Sequence, residues 1–211
     1  MTQTEPERMT SRQRRIEEQR KKLDALHREQ RRKRFTFIGL AVLGAVLAVA
    51  LVVFFFPKPG AGDQMRQVPL EQANHVDEGA PLTYRNRPPS SGMHYGTLPQ
   101  VSEYRMYDQP LSPGRWVHML EHGAVAVLYR PDVCDSSCVA LLAQVWDSAP
   151  RSNVIPGVRH LVITPYQNMD HAVAVVAWGY VDEMDQPDKD RILADIKSKM
   201  DASSAPERGA L

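Results

Sequence analysis

Hydrophobic and polar positions along this chain follow three regimes. Residues 35–56, from Phe35 to Phe56, are an unbroken apolar run, FTFIGLAVLGAVLAVALVVFFF, without a charged side chain. Residues 57–113 show neither helical nor strand periodicity. Nine of the 16 prolines fall there, so extended and turn segments are expected instead of regular elements. From residue 123 short periodic segments follow one another. GAVAVLY at 123–129 reads as a buried strand. Residues 135–148, DSSCVALLAQVWDS, put Val139, Leu142 and Trp146 on one helical face, with Asp135 or Ser136 as the cap. RHLVITP at 159–165 is a second strand, and HAVAVVAWGYVDEM at 171–184 begins as a third. Residues 188–200, DKDRILADIKSKM, form an amphipathic helix with Ile192, Ile196 and Met200 spaced by four.

The order strand, helix, strand, strand, helix predicts an α+β domain. A strand–helix–strand crossover implies a parallel pair. The loop PYQNMD at 165–170 reads as a hairpin adding an antiparallel strand. The expectation is a mixed sheet with about two helices packed on it, over roughly 130–150 residues, enough for one core. The predicted divisions are a basic helical arm (1–34), a transmembrane helix (35–56), a linker (57–74), a globular domain (75–201) and a frayed tail (202–211).

The apolar run spans roughly 33 Å as a helix, enough for a bilayer core of about 30 Å. Pro57 and Pro59 stop it. A cleaved signal peptide is the alternative, but both the preceding arm and the run exceed the usual lengths. A signal anchor is therefore expected, making this a single-pass membrane protein. Arg31, Arg32, Lys33 and Arg34 abut the run on its N-terminal side. The positive-inside rule places the N-terminus in the cytoplasm and residues 57–211 outside the cytoplasmic membrane. The same four cations face anionic lipid headgroups.

Charge sharpens this division. The formal net charge of +1 averages 12 Lys+Arg and 6 Asp+Glu in residues 1–34, none in 35–56, and 14 against 19 in 57–211. The basic excess belongs to the arm, where lipid and topology account for it. No aromatic residues interleave the basic ones, so no nucleic-acid partner is expected. A protein partner in the cell envelope is open.

The densest chemistry lies in HMLEHG. His118, Glu121 and His122 match the H-x-x-E-H order of inverted zinc peptidases, where both histidines bind zinc and the glutamate is general base. Gly123 closes the segment and a strand follows, so no helix long enough for that mechanism is expected. A strand or turn reading still puts His118 and His122 on one face. His94, in the turn-rich PPSSGMHYG, could join them. Three imidazoles suit zinc or copper, and Met93 and Met119 would suit Cu(I). His75 and His171 are candidate fourth ligands. The alternative is a structural hydrogen-bond network of His94, His118, Glu121 and His122.

The strings RPPSSGMHY (87–95), WVHMLEHGAVAVLYRP (116–131), VITPY (162–166) and AVVAWGY (174–180) resemble the bacterial DUF3105 family. Its members are commonly single-pass membrane proteins with an outer domain. The resemblance covers roughly residues 75–200 and implies that His94, His118, Glu121, His122 and Gly123 are motif positions. It implies no activity.

Cys134 and Cys138 sit between a predicted strand and helix. Their position resembles the Cys-x-x-x-Cys of Sco-type copper chaperones, although Val139 stands where a proline would strengthen that likeness. A structural disulfide, a redox pair and copper ligation all remain open, and an oxidising compartment permits the first. The leading expectation is a membrane protein whose outer domain serves binding or assembly and is not a classical enzyme. A copper- or zinc-handling envelope protein using His94, His118 and His122 comes next, and a thiol–disulfide redox protein using Cys134 and Cys138 third.

Overall fold

The structure, a computed structural model, describes residues 64–210 together with Arg28 and Gly44. The predicted span 35–56 and the arm 1–34 otherwise lie outside the described residues. Among the described residues no helix is long and apolar enough to cross a membrane.

The elements run β1 (Arg66–Gln67), β2 (His75–Val76), β3 (His94–Tyr95), a 3-10 turn (Val101–Glu103), α1 (Pro113–Glu121), β4 (Val125–Tyr129), α2 (Ser136–Ser148), β5 (Leu161–Pro165), β6 (Val173–Ala177), β7 (Tyr180–Met184) and α3 (Lys189–Lys199). Five strands make a mixed sheet in the order β1-β7-β6-β4-β5. β4 and β5 are parallel, as the crossover through α2 requires, and the other neighbours are antiparallel. β2 and β3 form a separate parallel ladder. The α+β class with a mixed sheet stands.

Four expectations need correction. First, β5 and β6 do not form a hairpin, because β6 pairs with the opposite edge of β4. The outer edge of β5 is taken by the 105–107 segment, where Ile163 exchanges hydrogen bonds with the Arg105 carbonyl and the Tyr107 amide. The true hairpin is β6–β7, turning at Trp178–Gly179 with Gly179 at φ 73°. Second, the described residues of the domain hold three helices where about two were expected, the additional one carrying HMLE. Third, the supposed linker enters the fold early. β1 pairs with β7, and Met65 and Val68 are buried. Fourth, the tail does not fray. Its amides at Glu207 and Gly209 donate to the carbonyls of Glu121 and His122.

Both faces of the central strands are covered, so their sequences are apolar throughout instead of alternating. On one face Val125, Val127, Leu161, Ile163, Val173 and Val175 pack with Leu142 and Val145 of α2 and Ile192 and Ile196 of α3. On the other, Ala126, Leu128, Val162, Ala174 and Val176 pack with Trp116, Val117 and Leu120 of α1. α2 and α3 begin at carboxylate caps. Asp135 accepts from the amides of Ser137 and Cys138, and Asp188 from those of Asp190 and Arg191. Each such cap is worth about 1 kcal/mol.

Candidate metal centre

α1 exists because its two ends are specified. Pro113 occupies the first turn, where its missing amide hydrogen costs nothing. At the other end His122 is the C-cap and Gly123 follows with φ 99°. The Gly123 amide donates to Leu120 and the Ala124 amide to Met119, the paired bonds of a glycine-terminated helix. The strand or turn expected for residues 118–122 is therefore wrong. Gly123 does close the segment, but what it closes is a helix running up to it. His118 and Glu121 consequently lie in the last turn of α1, three residues apart and on one face.

The ladder β2–β3 brings the partners. Its register sets His75 opposite His94 and Val76 opposite Tyr95. β3 is held against the start of α1 by close packing. A Cβ on Gly114 would meet Leu82 Cδ1 at 2.6 Å and Tyr95 at 2.7 Å, so only glycine admits the tyrosine ring there.

The result is a cluster of His75, His94, His118 and Glu121, each offering one ligand atom, all within 4.8 Å of one another. Ring centroids are 4.7 Å apart for His75–His94, 4.9 Å for His75–His118 and 5.0 Å for His94–His118. His94, His118 and Glu121 are buried, whereas the His75 side chain is 48% exposed and forms the open side.

The hydrogen-bond pattern within the cluster is unusual. His94 Nδ1 lies 2.8 Å from the Gly92 carbonyl, which can only accept, so Nδ1 carries the hydrogen. His94 Nε2 then faces Glu121 Oε2 at 2.8 Å, yet neither atom has a hydrogen bond of proper geometry. With a neutral ring these are two acceptors face to face, an arrangement that needs a proton or a cation between them. His118 is more extreme, being fully buried with neither ring nitrogen in a hydrogen bond of proper geometry and only a loose one to the Tyr95 main chain.

Burial, and then the neighbouring rings of His122, His94 and His75, push His118 down to about 4. Burial also disfavours a charged His94, but contact with Glu121 and the Gly92 carbonyl outweighs it and raises the pKa above the usual value. For Glu121 burial raises the pKa, and the His94 contact and the surrounding imidazoles more than reverse this, leaving it lowered. Near neutral pH His118 is thus an uncharged imidazole beside an ionised carboxylate, ready to ligate, whereas a metal must displace the proton that Glu121 favours on His94.

His122 goes elsewhere. Its ring stands at 90° to that of His118, with centroids 4.6 Å apart. Its Nδ1 bonds the Ala210 carbonyl at 2.8 Å, and its Nε2 faces Glu207 Oε2 at 3.4 Å. The set His94, His118, His122 anticipated from sequence is therefore divided. His75 and Glu121 complete the group to which His94 and His118 belong. The division also argues against the peptidase geometry, since His118 and His122 do not aim at one point and Glu121 stands among the ligand atoms.

The sequence profile of a family described as "Protein of unknown function (DUF3105)" matches residues 75–211. The chain belongs to the DUF3105 family. The match contains His75, His94, His118, Glu121 and His122, as well as the C-terminal segment that reaches His122. No curated protein and no solved structure matches the chain.

Elsewhere in this DUF3105 domain the remaining sequence candidates separate from the cluster. Cys134 and Cys138 are joined by a disulfide with Cα atoms 5.2 Å apart, both buried with the α2–α3 core. They lie beyond the opposite end of β4 and contribute nothing to the histidines. His171 bonds Asp185 at the surface. Met119 packs into the apolar core of the α1 face. Another buried trio escaped sequence reasoning. His160 bonds Asp201 at 2.8 Å and the Tyr104 hydroxyl at 3.1 Å, joining β5 to the C-terminal segment. Glu207 was equally unforeseen, since nothing in the periodicity of residues 202–211 marks it.

Proposed function

We propose that this DUF3105 protein is a membrane-anchored metal-binding protein that holds zinc or copper(II) outside the membrane through His75, His94, His118 and Glu121. The observation that carries this reading is His118. A buried imidazole with neither nitrogen in a well-formed hydrogen bond costs on the order of 1–3 kcal/mol; coordination to a metal satisfies one nitrogen, and the Tyr95 main chain is the partner for the other. The competing hydrogen-bond network keeps the His94–Glu121 contact but leaves His118 and His122 Nε2 outside it. Three imidazoles and a carboxylate, with the only two thiols in a disulfide, favour Zn(II) or Cu(II) over Cu(I). The exposed edge at His75 is a route for loading and release.

The anchor is part of the proposal. It rests on the uncharged run 35–56 and the flanking Arg31, Arg32, Lys33 and Arg34, which orient the domain outward and meet anionic headgroups. A disulfide suits an oxidising compartment. Binding to another envelope protein is compatible with this placement.

The test is metal analysis. Full-length protein in detergent, stripped with a chelator and dialysed against Zn(II) or Cu(II), retains at least one equivalent. His94→Gln and His118→Gln abolish retention by this cluster. Wild-type protein that retains no metal ends the reading.

A further inference from the structure

We infer a second cation site beside the first, formed by Glu121, His122 and Glu207, with the Glu121 carboxylate shared between the two. The inference rests on the first cluster binding a metal as proposed above. The ligand is a second divalent transition-metal ion.

Glu121, His122 and Glu207 each place one ligand atom within 4.8 Å of the others. Proximity of two acids to a histidine would not suffice, and the state of His122 supplies the independent reason. Its side chain is 0% exposed. Its Nδ1 must donate to the Ala210 carbonyl, since that oxygen can only accept. In the neutral ring this bond leaves a bare lone pair on Nε2. Nε2 is buried and has no hydrogen bond, although Glu207 Oε2 lies 3.4 Å away. An Nδ1–H held by a main-chain carbonyl, with Nε2 facing carboxylate oxygens, is the arrangement of a metal-ligating histidine. It repeats what Gly92 does for His94 in the first cluster.

The fold builds this second set deliberately. The last turn of α1 ends in carbonyls that need donors. The C-terminal segment supplies them, with the Glu207 amide donating to Glu121 at 3.0 Å and the Gly209 amide to His122 at 2.9 Å. The same two contacts deliver the Glu207 carboxylate and the Ala210 carbonyl to opposite sides of the His122 ring. Asp201 anchors the strap upstream through His160 and through its amide to the Gly123 carbonyl.

Glu121 can serve both sites because a carboxylate offers two oxygens and about four lone pairs. His118 and His122, about one helical turn apart, then feed different ions. The first site is nitrogen-rich. The second has two carboxylates and one imidazole, and the Glu207 side chain is 48% exposed, leaving coordination positions for water. Carboxylate-bridged pairs of this kind hold their ions roughly 3.5–4 Å apart.

The experiment counts ions with Co(II) as probe, on the full-length protein in detergent after chelator treatment. Two equivalents are expected in the wild type and one in Glu207→Gln, an exposed position where folding is not at stake. The second equivalent should also attenuate the electron paramagnetic resonance signal of the first, through coupling across Glu121. One equivalent in the wild type, unchanged in Glu207→Gln, overturns the second site and leaves the first intact. Two equivalents with independent signals overturn the shared carboxylate. No equivalent at all overturns the first site and this one with it.

Discussion

The two faces of the sheet bury similar strands but finish their chemistry differently. Toward α2 and α3, Val125, Val127, Leu161 and Val175 meet Leu142, Val145, Ile192 and Ile196, and the disulfide closes the edge. Buried charge there is answered in place, as where Arg191 forks onto the Asp182 carboxylate. Toward α1 the strands meet the helix and the proline-rich wrap. There Ser90 Oγ, His94 Nε2, Trp116 Nε1, both nitrogens of His118, Glu121 Oε2 and His122 Nε2 are buried without hydrogen bonds of proper geometry. Native interiors leave few polar atoms unpaired, so such a concentration calls for an explanation. One face is close to a completed core, with Arg159 Nε beside α2 as an exception, whereas the other is a core built around something that completes it.

The strongest way to break this comparison is to damage the closed face and look for an effect on the open one. Leu142→Ala removes a fully buried side chain of α2. It should cost about 2–5 kcal/mol of stability, read by denaturant unfolding, while the folded protein keeps its full metal stoichiometry. Loss of metal from protein that is still folded would show that the faces are not separable.

A pH titration of metal-free protein sharpens the same contrast. Burial first, and neighbouring imidazoles second, lower His118 to about 4, and burial lowers His160 against the opposing Asp201. In both cases the unfolded chain takes up protons that the folded protein refuses. Stability therefore falls as pH drops from about 6.5 toward 4. His94 has a raised pKa, so it acts above about 6.5, where stability is lost with rising pH, and is constant in the lower window. Melting temperature should fall by several degrees across the lower window in the presence of chelator. His118→Gln should flatten part of that slope and leave the share of His160. An unchanged slope in His118→Gln would remove His118 from the account.

How far the sequence discloses all this depends on the kind of interaction. β4, α2, β5 and α3 are legible because apolar spacing, Asp135 and Asp188 mark them locally. The place of β6 is not, since it depends on the 105–107 segment occupying the edge of β5. His118, Glu121 and His122 are conspicuous as a string, yet their helix is hidden by a glycine that reads as a stop on either side. His75 joins them through a two-residue ladder too short to show periodicity. Glu207 joins through main-chain bonds that carry no residue signature at all. The elements that build the closed face are local statements. The elements that build the open face are agreements between distant segments.

Gly114→Ala tests that agreement directly. The added methyl would sit 2.6 Å from Leu82 and 2.7 Å from the Tyr95 ring, forcing β3 away from α1. Overpacking of this kind costs about 1–3 kcal/mol. The loss of metal affinity should exceed what the stability change alone produces, because His94 moves with β3 while His118 and Glu121 stay. Equilibrium metal competition measured beside thermal melting separates the two. Weakened stability with unchanged affinity would mean that the cluster tolerates displacement of β3.

The smallest effect is expected on the closed face, at the disulfide. Cys134 and Cys138 close a loop of only four steps, with Cys138 in the first turn of α2 beside the Asp135 cap. A loop this short removes little freedom from the unfolded chain, about 2 kcal/mol by the entropic account, and less if the Asp135 cap already orders the turn. Replacing both cysteines with serine should therefore lower stability by no more than that amount and leave metal binding unchanged. The outcome discriminates between roles as well as magnitudes. A bridge that is only a staple for the start of α2 has no reason to reach across the sheet, since β4 separates it from His118 and Glu121. If the double replacement abolished metal binding in folded protein, the cysteines would have to act on the histidine cluster, and the division between a completed face and an open one would fail.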